Sequence, residues 1–546
     1  MIAVARRPGS PYGTAGPVGG GRTVEGHDVV LIGSGHNALV TAAYLARAGH
    51  DVIVLERNDR PGGLCRTEEL TLPGFRHDVY SASHPLLLAG PVMRELGDEL
   101  GARGLTYLNT DLPTGVSFSD GRTAVLPRSM DAMVAEADRL AAGDGATFAA
   151  WMESFAPYAP DVFGLFTQDL AEPDARATID RLFSGDGPGL TPLASTVFET
   201  GRREVSRFRS PVLQAMLAPW VMHLGRTPDE VGSGIWVILV ALAIMQAGMP
   251  TPAGGSEALT TALARLVTDH GGKVVTGTEV SGILVENGRA VGVRTDEGER
   301  YAAREAVVAS TNVDQLYLRL LGEDASEELR AQAAGYRYGR GCLQIHLALR
   351  EPPRWPDPRF ARVGQPHFTT GLDGCTLAAA QGMAGLLPAE PTFTVDCPTA
   401  QDPSRAPDGA AIMRVQVLEM PCHPHGDAAG EIEVGDGTWT PELTARMAER
   451  VLGIVAQHVP NIPDAVIGQA VVTPDDIARF NPNCGPGDPY GGASDLAQAY
   501  LLHAMPGQPG HRTPVEGLYQ VGAGTWPGHG VNGNSGYIVA HQLLAS

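Results

Sequence analysis

The stretch from Asp28 to Thr67 constrains this chain more than any other. An apolar run, Asp28-Val29-Val30-Leu31-Ile32, leads into a glycine turn, Gly33-Ser34-Gly35-His36-Asn37-Ala38. A helical pattern then extends to about Gly49, and a second apolar run, Val52-Ile53-Val54-Leu55, ends at Glu56. Strand, turn, helix, strand and acid in this order predict a βαβ unit that holds a dinucleotide. Gly33 permits the tight turn, and Gly35 lets a pyrophosphate come up to the backbone. The small Ala38 lets helix and strand pack closely. The helix N-terminus offers its N–H groups to the phosphates. Glu56, at the end of the second strand, stands where a carboxylate accepts from ribose hydroxyls. The chain continues with Arg57, the doublet Gly62-Gly63, and Thr67. A doublet at that distance lets a second loop close over the same pyrophosphate. A glycine turn alone is a weak signal; here the flanking context that the motif requires is present on both sides.

The rest of the composition narrows the class. At 546 residues the chain exceeds what one core holds, so two or more domains are expected. A net charge of -21 argues against nucleic acid and against a generally basic membrane-binding surface. Six cysteines are scattered without a Cys-x-x-Cys pair, which reads as reduced thiols in a cytoplasmic protein. Cys422-His423-Pro424-His425 has no second cluster at ligand spacing, so no metal is expected. Residues 1–26, rich in Gly and Pro, read as a flexible leader. Its Arg6-Arg7 pair lacks the apolar region of a secretion signal. The longest apolar run, Ile235 to Met245, is too short to span a bilayer. It reads as a buried helix, with lining of an apolar substrate cavity or contact with a membrane surface as the alternative.

Periodicity divides the remainder. Segments 27–106, 251–320 and 471–546 read as one discontinuous nucleotide-binding domain. Segments 107–250, largely helical, and 321–470, rich in strands, read as a substrate domain. The strands between Lys273 and Thr295 are expected to form a meander packed on the parallel sheet to which Ala306–Ser310 belongs. The predicted fold class is α/β: a Rossmann-like domain in discontinuous segments plus an α+β substrate domain.

The far end of the chain returns to the same site. Leu518 to Gly522 reads as a core strand. A glycine loop follows, Gly522-Ala523-Gly524-Thr525-Trp526-Pro527-Gly528-His529-Gly530-Val531-Asn532-Gly533, and a helix opens near Asn534. Backbone donors at such a turn suit the ribityl phosphate and the pyrimidine edge of a flavin, which gains negative charge on reduction. With these motifs the chain resembles the phytoene-desaturase-like flavoproteins of the amine-oxidase and glucose-oxidase superfamily. Thr513-Pro514-Val515, Gly517-Leu518-Tyr519, Pro252 to Gly255, Asp402-Pro403-Ser404 and Ala406-Pro407 are similar to a branch of bacterial and mitochondrial oxidoreductases related to phytoene desaturase.

The resemblance implies FAD. It implies that Gly33, Gly35, Ala38, Glu56, Arg57, Gly62, Gly63 and Thr67 surround its ADP half and that Val280 meets adenine through its backbone. Gly524, Thr525, Val531 and Asn532 would then lie beside the ribityl chain and isoalloxazine. Met505-Pro506, where many relatives have Arg-Pro, and His84, where many are glycine-rich, depart from the pattern and weaken any carry-over of substrate. The expected reaction removes a hydride and a proton from a largely apolar small molecule, giving C=C or C=N, with dioxygen or a quinone as electron acceptor. His84 and His529 are candidate bases, because histidine accepts a proton near neutral pH. His346, on an apparent strand, reads as a core residue. Trp220, Trp236 and Trp526 are candidate substrate contacts. The alternatives are a flavin-dependent isomerase without net redox change, and a non-enzymatic binding protein like the prenyl-protein escort factors. Oligomeric state stays open.

Overall fold

A computed structural model describes residues 23–184, 195–499, 505 and 507–546. Two seven-stranded sheets organise it. In the first, strand Thr23–Ile32 lies parallel to Val52–Leu55 on one side and to Arg300–Ala309 on the other. Parallel strands covered on both faces require continuous apolar runs, and Val29, Val30 and Leu31 are fully buried. Val29 and Leu31 pack with helices His36–Arg47, Glu257–Asp269 and Asn534–Leu544, while Val30 and Ile32 face the opposite core.

Two expectations change here. The first strand begins at Thr23, in register with Arg300, so the last part of the expected leader belongs to the sheet; residues 1–22 lie outside the described residues. The meander Val280–Glu286 and Arg289–Thr295 extends the sheet edgewise instead of packing on it. The reason is the length of Arg300–Ala309. Its first part pairs antiparallel with Arg289–Thr295, and its last part pairs parallel with Leu518–Gln520.

The second sheet runs Val466–Val472, Gly341–Leu349, Ala411–Met420, Phe393–Asp396, Val363–Phe368, Leu112–Ser117, Thr123–Leu126. Its side chains alternate between faces. Leu343, Ile345, Val415 and Val417 pack with helix Pro441–His458, where Met447, Val451 and Val455 are buried. The opposite face carries Gln344, His346, Arg414 and Gln416 and looks toward the nucleotide-binding sheet across the cavity described below.

The motif pair Asp402-Pro403-Ser404 and Ala406-Pro407 ties the two parts together. Asp402 Oδ2 accepts from Gly254 N at 2.7 Å. Asp78 Oδ1 accepts from Ser256 N at 2.7 Å and from the Thr67 hydroxyl at 2.9 Å, and its Oδ2 lies 3.0 Å from Arg405 Nη2. Gly255, at φ +118°, lies so close to Thr67 that a Cβ would overlap it. Among the described residues no helix is long and apolar enough to cross a membrane.

Candidate active site

A cavity of about 440 Å³ joins the two sheets. Its nucleotide end is built by two glycine loops in contact. Gly33, at φ +84°, turns the chain out of the first strand. Gly62 N donates to Ser34 O at 3.1 Å, and a Cβ on Gly62 would come 2.7 Å from both Cys65 O and Thr260 Oγ1. A Cβ on Gly63 would lie 3.5 Å from Gly35 Cα, an ordinary contact, so the doublet sits directly against the first loop. Helix His36–Arg47 begins without a side-chain cap, and Gly35, His36 and Asn37 line the cavity. Backbone donors left open at that end suit an anion.

Glu56, only 4% exposed, lines the same cavity. Its Oε2 accepts from Ser34 N at 2.9 Å and from the Ser34 hydroxyl at 2.6 Å, and its Oε1 accepts from Asn58 N at 2.8 Å. The carboxylate therefore fixes the glycine turn as well as presenting itself to the cavity. Arg57 and Val280 also line it. Ala38 is buried in the helix–sheet core, and the Thr67 hydroxyl donates to Asp78; neither is among the residues that line the cavity.

At the C-terminal loop the cavity is lined by Gly522, Ala523 and Gly528 to Val531. Gly524 instead packs on Asn312. The Thr525 hydroxyl donates to Gly522 O at 2.9 Å and lies 2.8 Å from Ser535 Oγ. Asn532 Nδ2 spans the carbonyls of Gly528, His529 and Gly530, and its Oδ1 accepts from Asn534 N at 2.9 Å. Gly524, Thr525 and Asn532 thus shape the loop, while Gly522, Ala523 and Val531 present its surface. The loop was evident from the sequence, but which residues face inward depends on these internal hydrogen bonds.

The candidate bases separate. His84 caps the helix Pro85–Ala89, and its ring is wholly buried with Nδ1 2.9 Å from Tyr107 Oη. Ser83 and Pro85 line the cavity, and His84 between them does not. Burial pushes its pKa down to about 3. His84 is thus not among the residues that line the cavity, and burial favours its neutral form. His529 lines the cavity, its ring 4.8 Å from that of Tyr490. His346 is buried as expected, edge-on to His77 at 5.3 Å.

Trp220 and Trp236 line the cavity; Trp236 stacks on Phe166 at 5.9 Å. Helix Gly234–Ala247 contributes Leu239, Val240, Ala243 and Ile244 to the same wall, so the long apolar run is both buried helix and cavity lining. Trp526 lies instead in an adjoining cavity of about 370 Å³, with Nε1 donating to Leu165 O at 2.8 Å. The sequence reading missed His36, Gln344, Gln365, Arg414, Gln416 and Tyr490, all of which line the main cavity. The alternation of polar and apolar residues along 341–349 and 411–420 carried the signal for three of them.

Burial also pushes His77 and His223 down to about 3. A histidine kept neutral in the folded chain takes up a proton on unfolding once the pH falls below its ordinary value of about 6.5. The stability such a group contributes is complete above pH 6.5 and is lost toward pH 3, at about 1.4 kcal/mol per pH unit for each group. Unfolding midpoints measured from pH 8 to pH 5 are expected to hold level and then fall below about pH 6.5. In His84→Gln the acid limb should be shallower. An equal slope would contradict the burial account of that ring.

The class follows from these features. A dinucleotide turn, an acid at the end of the second strand and a closing C-terminal loop share one cavity with an apolar wall, and the chain is a FAD-dependent oxidoreductase. Residues 39–434 match the family of flavin containing amine oxidoreductases, and the chain belongs to that family. A component of the limonene dehydrogenase of Castellaniella defragrans is 27% identical over 94% of both chains. A zeta-carotene-forming phytoene desaturase of Myxococcus xanthus is 27% identical over 93% of this chain and 92% of its own. An oxidoreductase structure from Methanosarcina mazei shares the fold, with a TM-score of 0.59 and 18% identity over 95% of this chain and all of its own.

Proposed function

We propose that the protein dehydrogenates a largely apolar small molecule, forming C=C or C=N, and passes the electrons to dioxygen or a quinone. The observation that carries this reading is the continuity of one cavity from the paired glycine loops to the wall of helix Gly234–Ala247. Gly33, Gly35, Gly62 and Gly63 would hold the pyrophosphate of FAD, with Glu56 and Arg57 toward the ribose and Val280 toward adenine. Gly522, Ala523 and Val531 would border the isoalloxazine. Bound FAD supplies the hydride acceptance. The chain's own part is to exclude water with Trp220, Trp236 and Ile244, to orient the substrate, and to take up a proton. His529 is the proposed proton acceptor, because it lines the cavity and His84 does not. In this reading segments 27–106, 251–320 and 471–546 serve the cofactor, and 107–250 and 321–470 serve the substrate. Limonene and phytoene, in the names of the two relatives, are hydrocarbons and agree with an apolar cavity. Six cysteines, all outside disulfides, support a cytoplasmic location.

Replacing Trp236 with Ala tests the substrate wall. Burying such a side chain against a ligand contributes roughly 1.5–3 kcal/mol. Trp236→Ala is expected to raise the dissociation constant of an apolar substrate about tenfold or more, with the flavin spectrum unchanged. A lower melting temperature with unaltered affinity would assign Trp236 to the core instead.

A further inference from the structure

The sheet face that closes the substrate end of the cavity is polar across four strands. Gln344 pairs in register with Gln416, Gln416 with Thr394, and Thr394 with His367. A second row beside it runs His346, Arg414, Asp396. A cavity meant for a hydrocarbon from end to end has no use for such a floor. Glutamine amides desolvated by an apolar ligand and left without partners oppose its binding.

The charges in this floor are already matched. Arg414 donates from Nε and Nη2 to Asp396 Oδ2 at 2.9 and 2.6 Å, and from Nη1 to Tyr80 O at 2.7 Å. The amides are not used up, although that of Gln416 also hydrogen-bonds to the buried Cys342 thiol. Gln344 takes only a 3.5 Å contact from Arg414 Nη1 at its carbonyl, and no described residue accepts from its N–H groups. Gln365 donates to Thr394 Oγ1 at 3.2 Å, which leaves its carbonyl open. A glutamine offers two donors and one acceptor oxygen, so together these groups can both give and take a hydrogen bond. His223, which lines the same end, is kept neutral by burial. Neither a carboxylate nor an ammonium group finds an unmatched opposite charge here.

We propose that the substrate carries one uncharged oxygen function, a hydroxyl or ketone, seated against Gln344, Gln365 and Gln416, with its apolar skeleton toward helix Gly234–Ala247. This rests on the reading of the cavity as the substrate site of a flavin dehydrogenase. It deepens that reading by narrowing it to C=C formation on an oxygenated skeleton, with pure hydrocarbons, amines and acids as the disfavoured ligands.

The test uses the FAD-loaded protein and a set of probes with one ten-carbon skeleton: limonene, perillyl alcohol, perillyl amine and perillic acid. Each is titrated anaerobically, with binding read from the perturbation of the flavin absorbance and turnover from its bleaching. The alcohol is expected to bind about tenfold or more tightly than the hydrocarbon, the amine or the acid. In Gln344→Leu/Gln416→Leu, at equal flavin content, the alcohol and the hydrocarbon should come within about twofold of each other. Gln365→Met, on a different strand, should narrow the ratio independently if the double variant folds poorly. Equal or tighter binding of the hydrocarbon, tightest binding of a charged probe, a ratio unmoved in the variants, or no perturbation by any probe would overturn the proposal. Alcohol-selective binding without bleaching by any probe would uphold the oxygen preference and count against the dehydrogenase reading. Bleaching with the hydrocarbon preferred would do the reverse.

Discussion

Arg405→Met is expected to destabilise the fold by about 3–5 kcal/mol, the cost of removing one member of a buried ion pair. Arg405 is completely buried, and Asp78 is only 3% exposed. Their closest approach is 3.0 Å, and Arg405 Nε also donates to Arg76 O at 2.9 Å. Without the guanidinium, the Asp78 carboxylate stays in the interior with Ser256 N and the Thr67 hydroxyl as its remaining donors. Asp78→Asn/Arg405→Met should recover much of the loss, since the amide keeps an acceptor oxygen and no buried charge remains. Thermal unfolding of the three proteins checks this. A single variant as stable as the parent, or a double variant no better than the single, would contradict it. The consequence reaches the cofactor end, because the same aspartate holds the start of helix Glu257–Asp269, whose Thr260 touches the Gly62 turn.

Glu56→Ala is expected to weaken FAD binding about 10- to 150-fold. A hydrogen bond to a charged group contributes roughly 1.5–3 kcal/mol, and each 1.4 kcal/mol is a factor of about ten. The alanine loses the proposed ribose contact and also releases Ser34 and Asn58, which the carboxylate now holds. Glu56→Gln separates the two effects. Its single acceptor oxygen keeps part of the turn but lacks the charge, so its affinity should fall between those of parent and alanine variant. Titration of the apoprotein with FAD, followed by flavin fluorescence, gives all three values. An alanine variant that binds as tightly as the parent would remove Glu56 from the ribose site.

The parts of this site that could be read from sequence are local ones. Gly33, Gly35 and Glu56 belong to one βαβ unit, and the spacing of a single segment fixes their geometry. The C-terminal loop was legible as a loop for the same reason. Its inward face was not, because the Thr525 hydroxyl is drawn to Ser535 and the Asn532 amide to three loop carbonyls. The surroundings of His84 were not legible either, because nearness along the chain to flavin loops says nothing of its partner, Tyr107 Oη at 2.9 Å. The polar floor was beyond reach for a different reason. Gln344, Gln365 and Arg414 come together only through strand pairing that joins segments far apart in the chain, and pairing register is a tertiary property.

Anaerobic reduction of the bound flavin tests the central claim most directly. The purified chain is expected to carry about one FAD, released by acid precipitation because it is held by noncovalent contacts. An apolar alcohol or ketone in excess should bleach its visible absorption, while NADH and NADPH at micromolar concentration should not, since one dinucleotide fingerprint is present and FAD fills it. A chain that neither contains nor takes up FAD, or a flavin that NADH or NADPH bleaches rapidly while every apolar substrate leaves it oxidised, would contradict the account.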